Sequence, residues 1–266
     1  MHYVYRRRSP MMVVVGWMLG IVLTAVALLP LPLAAQSPST LHIGETVDGN
    51  LRARQPAEWR FYGCAGDRIR VEMTADAFPP VFELTAEDDD ATLLEGEQAA
   101  ADRAIGEVEL PANAYYVLIV RSGERSGRGA YTLTTNVRDE DEPADVIGYL
   151  GYEESVEDEL AGSAIDRWAF RGCAGDAVSI NLISADAAPL LLLASPAGLP
   201  LETAADQGTG AQISRFRLPA NGAYIIGASA NNAGEGSAYT LSLSATIGGA
   251  GSSQPDAALA AILARA

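Results

Sequence analysis

Trp59-Arg-Phe61-Tyr-Gly63-Cys64-Ala65-Gly66-Asp67 returns 109 residues later as Trp168-Ala-Phe170-Arg-Gly172-Cys173-Ala174-Gly175-Asp176. Upstream at the same offset, Val47 and Leu51 match Val156 and Leu160. Downstream, Leu110-Pro111-Ala112-Asn113 matches Leu218-Pro219-Ala220-Asn221 at an offset of 108. Tyr116 then matches Tyr224, and Tyr131-Thr132-Leu133 matches Tyr239-Thr240-Leu241. One residue is lost between Gly66 and Leu110, and the order of elements is otherwise kept. A match of this length is a duplicated domain of about 100 residues, not a short solenoid repeat.

Within each copy the hydrophobic period is two. Ile69, Val71 and Met73 alternate with Arg68, Arg70 and Glu72, and Val178, Ile180 and Leu182 alternate with Ala177, Ser179 and Asn181. That is the signature of strands with one face in a core and the other in water. Ala65-Gly66-Asp67, Pro79-Pro80, Asp88 to Asp90, Pro111-Ala-Asn113 and Ser122-Gly123 punctuate the first copy. Gly175-Asp176, Ser195 to Gly198, Pro219 to Gly222 and Asn231 to Gly236 punctuate the second. No segment of either copy sustains a helical period. The chain is therefore expected to be all-β: two tandem β-sandwich domains of jelly-roll or Greek-key type, over residues 41–137 and 146–246. Between them, 138–145 places five acids in eight residues and reads as a short self-repelling linker. Residues 247–266 read as a Gly/Ser-rich tail whose last stretch has the signals of a short helix, Asp256 as cap and Arg265 against its dipole, too short to hold alone unless docked.

The chain has 266 residues, 18 Lys plus Arg against 34 Asp plus Glu, and a formal net charge of −16. It contains no lysine. Arg6, Arg7 and Arg8 stand in a stretch of 35 residues without an acid, so 15 arginines remain against all 34 acids downstream, a net −19. Such a surface repels phosphate backbones and excludes nucleic acid as a partner. The only histidines are His2 and His42, so a multi-histidine zinc site cannot be built and any nucleophilic site would have to use His42.

Residues 1–35 read as an export signal, with Arg6–Arg8 as the positive region, an apolar run from Met11 to Leu29, and a small-residue end at Ala34-Ala35. Cleavage after Ala35 is the simpler reading. The 19-residue run is also long enough to stay as a membrane anchor. Either way the remainder is placed outside the cytoplasm, secreted or on the outer face of the cell membrane. The only membrane contact expected is through this segment.

Each copy resembles the bacterial pre-peptidase C-terminal domain, a small β-sandwich appended to secreted peptidases and collagenases. The resemblance rests on the aromatic-x-Phe strand, the Ala-Gly-Asp turn, the Leu-Pro-Ala-Asn turn, the following Tyr, and the closing Tyr-Thr-Leu strand. Asp166, two residues before Trp168, keeps an acid the family places there; the first copy has Ala57 instead. The resemblance implies a non-catalytic accessory module that aids targeting or binds matrix protein, in collagenases with calcium. Residues 36–266 are filled by the two copies, the linker and the tail, leaving no room for a peptidase domain.

Trp59 and Trp168 share a face with Phe61 and Phe170 and are read as core aromatics. Cys64 and Cys173, the only cysteines, are read first as buried free thiols, one inside each sandwich. A bridge between the domains and an intermolecular bond are the alternatives, since export permits disulfides. Glu87 to Asp90, the acids of 139–145, and Glu153, Glu154, Glu157, Asp158 and Glu159 are calcium candidates whose plainer reading is solvated loop charge. His42 is read as a plain surface or edge residue. No catalytic, cofactor-binding or metal-ligating residue is assigned, and no cofactor is expected beyond a weak case for calcium. The expected function is an exported, non-enzymatic protein that binds an extracellular polymer or partner protein at the cell surface. The alternatives are a calcium-dependent carbohydrate-binding protein and a structural component of the envelope.

Overall fold

The computed structural model describes residues 38–138, 140, 143–161, 164–205, 208–231 and 235–248. The expected leader, the tail helix, and Asp139, Asp141 and Glu142 of the linker lie outside the described residues. The described residues belong to one compact unit. They are all strand and turn.

The first copy supplies β1 (Ser39–Thr40), β2 (Thr46–Leu51), β3 (Ala57–Gly63), β4 (Arg68–Thr74), β5 (Pro80–Ala86), β6 (Asp89–Glu95), β7 (Glu97–Ala100), β8 (Arg103–Glu109), β9 (Ala114–Ser122) and β10 (Gly129–Val137). They form two sheets, β1-β3-β9-β5-β6 and β2-β10-β4-β8-β7. The second copy supplies β11 (Gly148–Tyr149), β12 (Glu154–Ala161), β13 (Asp166–Gly172), β14 (Ala177–Ser184), β15 (Ala188–Ala194), β16 (Pro200–Ala205), β17 (Gly210–Arg217), β18 (Gly222–Asn231) and β19 (Glu235–Thr246). Its sheets are β11-β13-β18-β15-β16 and β12-β19-β14-β17. Pairing is antiparallel except at β1 with β3 and β11 with β13, where Ser39 faces Trp59 and Gly148 faces Trp168 at equivalent positions.

The alternating residues fill the space between the sheets. Ile69, Val71, Met73, Phe82, Leu84, Leu118 and Leu133 are fully buried in the first copy, as are Val178, Ile180, Leu182, Leu193, Ile226 and Leu241 in the second. Each such side chain stabilises the fold by about 1.5–3 kcal/mol. Trp59 and Trp168 join the layers. Trp59 Nε1 donates to Tyr131 Oη (2.8 Å) and Trp168 Nε1 to Tyr239 Oη (2.9 Å), so the closing Tyr-Thr-Leu strand is tied to the opposite sheet in both copies.

The repeated turn residues have specific structural roles. In Cys64-Ala65-Gly66-Asp67 the Asp67 N–H reaches the Cys64 carbonyl (3.0 Å), and Gly66 sits at φ +84, where a side chain is disfavoured; Gly175 repeats this at +91. Asn113 Oδ1 accepts the Ala65 N–H (2.8 Å) and Asn221 Oδ1 the Ala174 N–H (2.9 Å), which fastens the Leu-Pro-Ala-Asn turn to the Ala-Gly-Asp turn. Tyr116 and Tyr224 donate to the carbonyls of Ala112 and Ala220 (2.7 Å each), four residues upstream, as in the tyrosine corner of other sandwiches. A Cβ on Gly63 or Gly172 would lie 2.3 Å from Leu110 or Leu218 Cδ1, so a larger residue at the end of that strand would have to displace a buried leucine. The register also locates the lost residue. Leu84 and Leu193 face Leu118 and Ile226, while their hairpin partners are Leu94 and Glu202, so the offset changes from 109 to 108 within the β5–β6 turn.

The cysteine reading is corrected. Cys64 and Cys173 are not separate thiols but one disulfide, with Cα atoms 5.3 Å apart, and no free cysteine remains. Each cysteine begins its turn just after the strand ends, and the two equivalent turns face each other across the boundary between the copies. Strand periodicity contains no term for that meeting. The protein should migrate faster on a gel without reductant than with it, and Cys64→Ser should remove the difference. The same substitution should lower unfolding free energy by about 2–5 kcal/mol in denaturant titration.

Candidate functional site

The chemically distinctive side chains gather where the copies meet. Asp67 and Asp176 are the equivalent aspartates of the two Ala-Gly-Asp turns, and both are buried. A buried carboxylate is strongly destabilising unless it is hydrogen-bonded or paired. Each finds its partner in the other copy, at the equivalent positions 62 and 171. Arg171 grips Asp67 in a two-pronged contact, Nη2 to Oδ1 at 2.6 Å and Nε to Oδ2 at 3.0 Å. Tyr62 Oη donates to Asp176 Oδ2 at 2.8 Å, joined there by Tyr152 Oη at 3.0 Å. Asp176 Oδ1 accepts the Gly248 N–H at 2.7 Å. With the disulfide between them, these contacts form a reciprocal, self-complementary interface within one chain.

The linker takes part in it. Glu140 Oε2 accepts from Arg171 Nη1 at 2.5 Å and its Oε1 from the Ala223 N–H at 3.0 Å. This acid is a fixed ligand of the guanidinium and not a solvated linker charge. Arg171 is 7% exposed and Asp67 4%. Burial pushes the Asp67 carboxyl up, against the pull of the Arg171 charge and hydrogen bonds. Burial likewise works against the charged Arg171, and Asp67 and then Glu140 more than offset it, so its pKa is raised. The Tyr62 and Tyr152 hydroxyls are pushed well above the ordinary tyrosine range, by burial first and then by the Asp176 charge, and stay protonated donors.

His42 is the second correction. Instead of a plain surface residue it is a bridge: Nδ1 meets Glu45 Oε2 at 2.9 Å and Nε2 meets Glu154 Oε2 at 2.9 Å, with Tyr149 stacked alongside at 6.3 Å. Glu45 and Glu154 are themselves equivalent residues. Each accepts the N–H three residues back, from His42 (3.3 Å) and Gly151 (2.7 Å). Burial lowers the pKa of the ring, but the hydrogen bonds to Glu154 and Glu45 and their charges outweigh it and lift it to about 9. The hydrogen bond to His42 in turn holds both carboxyls below their usual value, against burial. Sequence signals for this cluster were one histidine and two acids 109 residues apart in matched copies.

Thr40, His42, Arg60, Tyr62, Tyr115 and Glu154 border a crevice of about 50 Å³ between the copies, room for a few waters and not for a ligand. Arg60 lies over the Tyr115 ring at 3.5 Å and pairs with Glu87 (2.9 and 2.8 Å), so that turn acid is engaged. Asp89 accepts the Ala91 N–H, and Glu153 accepts the Ala245 N–H. Among the described residues no group of three or more His, Cys, Asp or Glu is arranged to hold a metal ion.

The structure is similar to the pre-peptidase C-terminal domain of a collagenase from Bacillus anthracis, at 16% identity and a TM-score of 0.34, covering 38% of this chain and 96% of that domain. It is also similar to the PBSX exported protein XepA, at 11% identity and a TM-score of 0.28, covering 76% of this chain and 87% of that one. The first is a domain of the family that the repeated motifs resemble. No protein-family model matches the sequence, and a search of curated proteins gives no match.

Removing one partner of a buried pair exposes the cost of the other. Arg171→Ala, which strands Asp67, should destabilise by about 3–5 kcal/mol in chemical denaturation, and Arg171→Lys, which cannot reproduce the two-pronged contact, should recover only part of it. A histidine whose pKa is about 9 when folded and 6.5 otherwise binds its proton more tightly in the folded state. Its stabilisation is complete below about 6.5 and is lost as pH rises through about 9. Thermal melts from pH 6 to 10 should show that decline, and His42→Asn should flatten it.

Proposed function

We propose that the chain is an exported, non-catalytic pair of β-sandwich modules that binds an extracellular polymer or partner protein with both modules held in one fixed orientation. The observation that carries this reading is the clasp, in which a disulfide lies beside a buried Arg171–Asp67 pair and the reciprocal Tyr62–Asp176 contact. A disulfide persists in oxidising surroundings outside the cytoplasm, which agrees with the export signal read at residues 1–35. The clasp also fits display better than catalysis. Both nitrogens of His42 are occupied by carboxylates, and the Asp67 and Asp176 carboxylates are consumed in docking. A pair of modules that is already rigid loses little further entropy when both touch one partner.

Co-sedimentation of the purified protein with collagen, cellulose, chitin and peptidoglycan, each in calcium and in EDTA, tests the reading. Retention on one polymer, unchanged in EDTA, is the expected result. No retention on any of the four would overturn polymer binding and favour a structural role in the envelope.

A further inference from the structure

The two copies carry different side chains where β6 meets β8 and β16 meets β17, and in the second copy a groove lies there. In the first copy Leu94 of β6 lies over Gly106 of β8, so close that a Cβ on the glycine would be 2.9 Å from a Leu94 methyl. Strand register equates Leu94 with Glu202, opposite Leu84 and Leu193, and Gly106 with Ile213, opposite Val71 and Ile180. The second copy thus takes its apolar side chain from β17 and sets a carboxylate where the first has a leucine. A cleft of about 270 Å³ lies between β16 and β17, lined by Glu202, Thr203, Gln212, Ile213, Ser214 and Phe216. Beside it, β17 breaks register against β14, and Arg215 takes φ +52, a conformation that non-glycine residues seldom adopt. The Arg215 N–H is turned to Ser179 Oγ (3.0 Å). The first copy pairs β4 with β8 without any such break. Bulges of this kind re-aim side chains and are frequent beside binding sites.

We infer that this groove is a binding site for one sugar unit of a neutral polysaccharide. The inference rests on the polymer-binding reading and narrows it to a ligand class and a place. Thr203 and Ser214 each donate and accept, Gln212 brings an amide, and Glu202 brings a strong acceptor, which together match the hydroxyls of a sugar ring. Among the described residues none of these four side chains has a hydrogen-bond or ion-pair partner. Ile213 is buried and Phe216 half-buried, giving the cleft an apolar floor for the C–H face of the ring. The volume lies just below the range of about 300–1,000 Å³ usual for small-molecule sites, which suits a single sugar residue of a longer chain. The protein's net charge of −16 disfavours an anionic polymer.

Isothermal titration of the whole protein with cello-, xylo-, manno- and chito-oligosaccharides tests the inference. One series should bind. Glu202→Leu, which removes the carboxylate and sets the first copy's apolar side chain at the rim, should weaken binding about tenfold or more, and Gln212→Ala should weaken it several-fold, both with unchanged thermal midpoints. The inference fails if no series titrates, or if binding survives both substitutions. Wild-type retention on an insoluble polymer that Glu202→Leu leaves intact would overturn the groove and leave polymer binding standing, whereas no retention at all would overturn both. Capture on collagen that Glu202→Leu abolishes, without oligosaccharide binding, would overturn the sugar in favour of a peptide.

Discussion

Asp67 and Asp176 are buried at equivalent turns, and each takes a side-chain donor from the opposite sandwich. Among the described residues, Asp67 has only the Cys64 N–H from its own copy (3.1 Å) beside Arg171 from the other, while Asp176 has Tyr152 and the Gly248 N–H from its own copy beside Tyr62 from the other. Separating the copies would leave the Asp67 carboxylate without its guanidinium and take one hydroxyl donor from Asp176. The disulfide, the Glu140 contact and the His42 bridge are arranged around that requirement. The second module's apolar core even continues across the boundary to take in Tyr62 and Cys64.

The solution is symmetric in position and unequal in chemistry. Positions 62 and 171 are equivalent, yet one is tyrosine and the other arginine. The arginine side recruits the linker through Glu140, and the tyrosine side recruits Tyr152 and the backbone at Gly248. Glu45 and Glu154 are equivalent as well, but a single imidazole serves both. Self-complementary contacts of this kind are what a two-fold dimer of one module would make. Fusion into one chain frees each half to change separately, and the loss of Leu94's counterpart at Glu202 is one such change.

What could be read from the residues follows the range of each interaction. Strand alternation, the turn glycines and the order of elements are local, and they define two sandwiches without reference to coordinates. Trp59 and Trp168 could be placed on the inner face by that alternation; their partners, Tyr131 and Tyr239, are over 70 residues away and belong to the opposite sheet. The Cys64–Cys173 pairing and the His42 bridge depend on how two finished modules dock. Hydrophobic period is blind to docking, because it reports which face is inward and not what the ends of strands meet. The repeat did hold a clue: cysteine, aspartate and glutamate recur at identical offsets, as a reciprocal interface requires. The groove at Glu202 was hidden for a different reason, since it depends on a one-residue register break in β17.

The covalent bond between residues 64 and 173 makes a closed ring of everything between them, including the acidic connection between the modules. A protease that severs the chain once within that ring opens it but releases neither half. Both pieces stay bonded at the clasp, with Arg171 still on Asp67. In surroundings rich in secreted peptidases, such a molecule tolerates a nick at the point where tandem domains usually come apart.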